Sequence, residues 1–300
     1  MSTFTLPALA VQNNWKAKLK FERDMLFSAA VLLMTCPVLL AMHTNFSGEW
    51  PILLSLFALF ACAMPIVVCL REAGKHYWAN IISVVYFSFF FAVAFRFVVY
   101  LTIRAGSTVA LKDTALMHIE QSFGMAVPDV MRLAKAHWIG RAINWTYFQI
   151  EPFMRWTLLL PVLLNRPRGS RIMIKASLLA FAIGMPMAVL LPAVGPWYGY
   201  HTGGDPIEMK WTNEFLAIRA GQDHITFVAG LISFPSFHVV WAIVGACAVW
   251  EIKLLRVPAA LMAIGLTLST VTNGEHYVLD MLSGVVVAVL ACWLAMKWEA

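Results

Sequence analysis

The residues in this chain best suited to chemistry fall in two short stretches. His276 and Asp280 are four positions apart, in Gly274-Glu275-His276-Tyr277-Val278-Leu279-Asp280. On a helix they share one face. An aspartate there can accept the Nδ1–H of the imidazole, fix its tautomer and steady the positive charge that builds when Nε2 attacks an electrophile. His238 stands in Ser233-Phe234-Pro235-Ser236-Phe237-His238, where Pro235 and Ser236 are good helix-opening residues. A helix start presents free N–H groups and a positive dipole to an anion, which suits phosphate. One histidine as nucleophile, one as acid and base, and an orienting carboxylate make a complete phosphoryl-transfer set that needs no metal and no cofactor.

The rest of the chain says where such a site would sit. Of 300 residues 61% are hydrophobic and only 13% are charged, with a mean hydropathy of +0.75. Soluble domains carry about twice that share of charge, so this is the composition of a membrane protein. Eight runs reach or approach the ~20 apolar residues that span a bilayer: 26–42, 51–70, 78–103, 143–164, 176–194, 237–252, 257–272 and 277–298. The fourth is the weakest because it holds Glu151, Pro152 and Arg155. The five cysteines all lie inside apolar runs without paired spacing, which argues against a disulfide framework or a metal cluster.

Lysine and arginine mark every second boundary. Lys16, Lys18, Lys20 and Arg23 precede the first run, and Arg71 and Lys75 follow the second. Arg166, Arg168, Arg171 and Lys175 follow the fourth, Lys253 and Arg256 the sixth, and Lys297 closes the eighth. The positive-inside rule places these ends, and both termini, in the cytoplasm. The net charge of +6 is then a topology signal, and nucleic acid is not an expected partner. His238 and His276 both fall on the opposite, outer face. Two long segments share that face. Residues 104–142 are amphipathic, with Leu116, Ile119 and Phe123 at helical spacing and Asp113 available as a cap, which predicts an interfacial helix. Residues 195–235 carry Trp197, Tyr198, Tyr200 and Trp211, expected at headgroup level.

The stretch GLISFPSFHVVWAIVGACAVW at 230–250 and the stretch NGEHYVLDMLSG from Asn273 resemble the type 2 phosphatidic acid phosphatase superfamily. They look most like its branch of inositol phosphorylceramide synthases and bacterial relatives. The pattern there is Pro-Ser-x-His followed by His-x-x-x-Asp, here Pro235, Ser236 and His238, then His276 and Asp280. The resemblance implies an all-α polytopic membrane protein. Six helices in 78–300 would form the catalytic domain, and residues 1–77 would add two spans. It implies a phosphohistidine on His276, with Asp280 orienting that ring. His238 would protonate the leaving group and then activate water or an alcohol, with a membrane lipid as substrate.

The sequence departs from the wider superfamily in its cations. Ser269 and Thr270 stand where a Ser-Arg pair is usual. An Arg166-Pro167 pair exists, but Leu159 occupies the lysine position of Lys-x6-Arg-Pro, and the pair falls on the cytoplasmic side. Other groups would then hold the phosphate, and Ser236, Arg219 and Lys210 are the expected substrate-binding residues. The competing reading is a transporter or flippase without phosphoryl chemistry, against which the lack of an internal repeat counts. Oligomeric state is not legible.

Overall fold

The computed structural model describes residues 50–222 and 231–299, and every regular element among them is helical. The expected span at 26–42 lies outside the described residues. Helices α1 (Trp50–Glu72) and α2 (His76–Ala105) run 23 and 30 residues and pack as a hairpin. Three ten-residue helices follow, α3 (Asp113–Ser122), α4 (Val127–Ala136) and α5 (Trp138–Tyr147), where one interfacial helix was expected. α6 (Ile150–Leu163) is 14 residues long. The expected fourth span is thus cut at Phe148-Gln149. A helix of 14 residues reaches about 21 Å, short of a hydrocarbon core of about 30 Å. Glu151 and Arg155 pair across one turn of its surface at 2.6 Å.

The remaining elements are α7 (Arg168–Leu190), the single turn α8 (Pro196–Gly199), α9 (Pro206–Arg219), α10 (Phe237–Ala248), a 3₁₀ turn at Lys253–Leu255, α11 (Arg256–Thr272) and α12 (Val278–Glu299). Among the described residues α7, the Lys253–Thr272 run and α12 are long and apolar enough to cross a membrane. Their outer faces show what solvent they meet. Val257, Leu261, Ile264 and Leu268 recur along one side of α11 and are 41–67% exposed. An apolar stripe left uncovered at helical spacing belongs against lipid. The opposite side, with Ala259, Ala263, Leu266 and Thr270, is buried.

At the centre, α7 packs against α2, α6, α10 and α12, and α10 packs against α6, α7, α11 and α12. Phe91, Phe95, Phe181, Phe237 and Trp241 stack into one aromatic cluster between α2, α7 and α10. This holds the start of α10. Gly284 lets α12 approach that start, since a Cβ there would lie 2.6 Å from the Ser236 carbonyl oxygen. The far ends of α7 and α12 are tied by a buried ion pair between Lys175 and Glu299, with Arg171 Nε 3.0 Å from the same carboxylate. Lys175 is therefore more than a boundary anchor.

Breaking a buried pair by removing one partner strands the other charge and costs about 3–5 kcal/mol, whereas replacing both with apolar groups costs far less. Glu299→Leu should lower the melting midpoint in detergent by several degrees. The double variant Lys175→Met, Glu299→Leu should recover most of that loss. A double variant less stable than the single one would refute this account.

Candidate active site

The local sequence explains why two helix starts meet. Gly274, at φ +88°, makes the turn that ends α11. The backbone N–H groups of Glu275 and His276 both donate to the Thr270 carbonyl at 3.0 Å. Thr270, which stands where the superfamily's arginine is usual, is fully buried and supports this turn through its main chain. From the other side, the Ser236 N–H donates to the Asp280 carbonyl at 3.1 Å. The Phe234–Pro235 peptide bond is cis.

His238 and His276 face each other with ring centroids 5.8 Å apart and planes at 61°. His276 and Asp280 are buried and His238 is half-buried. One expectation is corrected in detail. The nearest partner of His276 Nδ1 is the Ser233 carbonyl at 3.0 Å, and Asp280 Oδ2 is farther, at 3.5 Å. A carbonyl can only accept, so Nδ1 carries the proton and Nε2 keeps its lone pair. Asp280 Oδ2 instead accepts the Ser233 hydroxyl at 2.5 Å and the Tyr277 N–H at 3.0 Å. It holds the segment whose carbonyl orients the ring, and keeps its charge within 3.5 Å of Nδ1.

Ser233 was in the quoted motif without a role; its hydroxyl and its carbonyl serve both partners. Of two acids on α3, sequence reasoning gave Asp113 only as a cap and missed Glu120. Asp113 does not cap its own helix. Its carboxylate accepts the N–H groups of Val194 at 3.0 Å and Gly195 at 2.9 Å, and the Tyr277 hydroxyl lies 3.2 Å away. Glu120 accepts from the Val278 N–H and, at 3.0 Å, from the Tyr200 hydroxyl. The two acids are seven apart on one face of α3 and clamp it to the start of α12. The only hint in the sequence was that spacing. Burial raises the pKa of Asp113 and pushes Glu120 up to about 7. Trp197 is also corrected: it is buried, and its indole N–H donates to Thr212 Oγ1 at 2.9 Å.

The cations are distributed as follows. Arg219 donates to the carbonyls of Gly106 (2.7 Å), Ser107 (3.1 Å) and Val109 (2.6 Å), so its guanidinium closes the turn after α2. Lys210 is exposed on α9. Arg166 reaches the Glu251 carbonyl at 3.4 Å, beyond the C-terminus of α10 and so at the opposite end of that helix from His238. Ser236 is at the site: it stands at the N-cap position of α10, is fully buried, and its Oγ has no hydrogen-bond partner. At the start of α12 the Tyr277 N–H is taken by Asp280 and the Val278 N–H by Glu120. The first N–H groups of α10 have no intrahelical acceptor, and a helix start of this kind suits an anion. Among the described residues no group of three or more His, Cys, Asp or Glu is placed to hold a metal.

Glu275 precedes His276. Burial and then the negative charges of Glu208 and Asp205 push it up to about 8. It is mostly neutral at pH 7 and gains charge as the pH rises through about 8, next in the chain to His276. The KM for an anionic phosphate ester should therefore rise on that alkaline limb by about fivefold, the effect of roughly 1 kcal/mol of repulsion. Glu275→Gln should flatten the limb; an unchanged KM profile in that variant would dismiss the effect.

The fold is a helical membrane bundle in which two histidines and a buried aspartate converge where two helices begin. The family model described as PAP2 superfamily matches residues 114–294. The chain belongs to that superfamily, the type 2 phosphatidic acid phosphatases, and is an integral membrane protein of phosphatase or phosphotransferase type. Neither curated proteins nor solved structures give a match.

Proposed function

We propose that this protein moves the phosphoryl or phospho-headgroup of a membrane lipid through a phosphohistidine on His276, without a metal, at the outer face of the membrane. The observation that carries the reading is the facing pair of imidazoles at 5.8 Å, with the proton of the inner ring held on Nδ1 by a carbonyl. His276 Nε2 attacks phosphorus as the bond to the leaving oxygen breaks, and protonated His238 gives its proton to that oxygen. Neutral His238 then takes a proton from water or an alcohol, whose oxygen attacks phosphorus as the P–N bond breaks. The product leaves with the acceptor, and both histidines return to their starting states. The α10 N–H groups and Ser236 Oγ hold the phosphate oxygens.

The topology belongs to this reading: eight crossings, the fourth made by the short α6 with its flanking residues, both termini cytoplasmic, residues 78–300 as the catalytic domain and 1–77 as an addition. The likeness of the two motifs to the inositol phosphorylceramide synthase branch favours an alcohol acceptor, hence transfer over hydrolysis. Brief incubation with a phosphate-labelled lipid phosphate and alkaline quench should leave label on the peptide containing His276, stable in alkali and lost in mild acid. A metal chelator should not diminish it. Label on any other residue, or turnover that stops with chelator, would defeat the proposal.

A further inference from the structure

Tyr147 and Asn144 lie one turn apart on α5, on the same face of that helix, and they reach both halves of the site. The Tyr147 ring stacks on the His238 ring, with centroids 4.7 Å apart and planes at 18°. Tyr147 is itself buried. Asn144 Oδ1 accepts the Thr272 hydroxyl at 2.5 Å, and the Asn144 carbonyl accepts from Asn273 Nδ2 at 3.2 Å. Thr272 and Asn273 end α11 and lead into the His276 turn. α5 packs along α11, with Thr146 against Gly265. The opposite side of α5 carries Trp138, Ile139 and Trp145, all more than half exposed.

Resting on the function proposed above, we infer that Tyr147 is the positioning residue of His238 and that α5 fixes the separation of the two histidines. A helix holding one ring by its face and the other's lead-in segment by hydrogen bonds leaves little freedom in the gap between them. Stacking restrains the tilt of the His238 ring and leaves its edge nitrogens free. Edge nitrogens do the proton transfer, so the restraint matters most where the proton matters most. An alkyl alcohol leaves poorly without a proton; an activated phenol leaves without help.

Leaving-group dependence therefore tests this role, because a merely structural residue would affect both esters alike. Purified wild-type protein, Tyr147→Met and Tyr147→Phe would be compared on an alkyl phosphate and an activated aryl phosphate of similar size. Tyr147→Met, which fills the space without a ring face, should lower the alkyl kcat by about tenfold or more and the aryl phosphorylation rate by much less. Tyr147→Phe keeps the ring and should restore the wild-type ratio of the two rates. Equal losses on both esters in a monodisperse Tyr147→Met preparation would overturn the inference. So would a Tyr147→Phe variant whose alkyl-to-aryl ratio falls tenfold, which keeps the test open if the methionine variant does not fold. Wild-type protein inactive on both esters would instead remove the functional reading on which the inference rests.

Discussion

Replacing His276 by alanine should lower turnover of a lipid phosphate by about 10⁴-fold or more, the scale seen when a covalent nucleophile is removed. The expectation follows from how completely the surroundings commit this ring. Its Nδ1 proton is held 3.0 Å from the Ser233 carbonyl, its main chain is fixed on Thr270, and only Nε2 remains to react. Phosphoenzyme labelling should vanish together with turnover. The measurement is steady-state release of phosphate or headgroup by detergent-purified protein, with labelling in parallel. A variant that still turns over at the wild-type rate would end the phosphohistidine reading. Asparagine at 276 should be no better, since it could keep the bond to Ser233 but offers no nucleophilic nitrogen.

The second large effect is expected at His238, and it should differ in kind. His238→Ala removes the proton donor and acceptor, worth about 10²–10⁴-fold in general acid–base catalysis. It leaves His276, Ser233 and Asp280 in place. With an alkyl leaving group the first step should slow by that amount. With an activated aryl ester, phosphorylation should proceed while breakdown of the phosphoenzyme stalls, because no group activates the acceptor. Labelled protein should then accumulate and persist. Rapid-quench labelling on the aryl ester separates the two steps. Label that forms and decays as quickly as in the wild type would show that His238 takes no part in the second step.

The contribution of Asp280 is divided, and here the structure changed the expectation. His276 lies in the bend before α12 and does not share a helix with Asp280; the carboxylate is still within 3.5 Å of Nδ1, but the shortest bonds of Oδ2 go to Ser233 Oγ and the Tyr277 N–H. Spacing along a helix fixes which face a side chain shares. It does not fix which of several nearby donors a carboxylate chooses, and Ser233 arrives from 47 positions away. The partners of Arg219 were hidden for a similar reason. This arginine, at the end of α9, satisfies three carbonyls at the turn after α2, and nothing local announces those acceptors. The interrupted fourth span shows the same limit: Glu151, Pro152 and Arg155 marked the region as weak, yet the break falls at Phe148-Gln149.

By itself the sequence determined the all-helical class, the apolar runs, the pairing of Pro-Ser-x-His with His-x-x-x-Asp, and the superfamily. The first two depend on composition and short-range periodicity, where helix geometry and transfer free energy act locally; the superfamily rests on the likeness of the two motifs to known relatives. Only the tertiary structure decided the tautomer of His276, the acids on α3 that hold the start of α12, and the tyrosine stacked on His238. Each of those is a contact between segments far apart in the chain. Such contacts are set by how buried polar groups find partners once the helices have packed, and no short-range pattern encodes that choice.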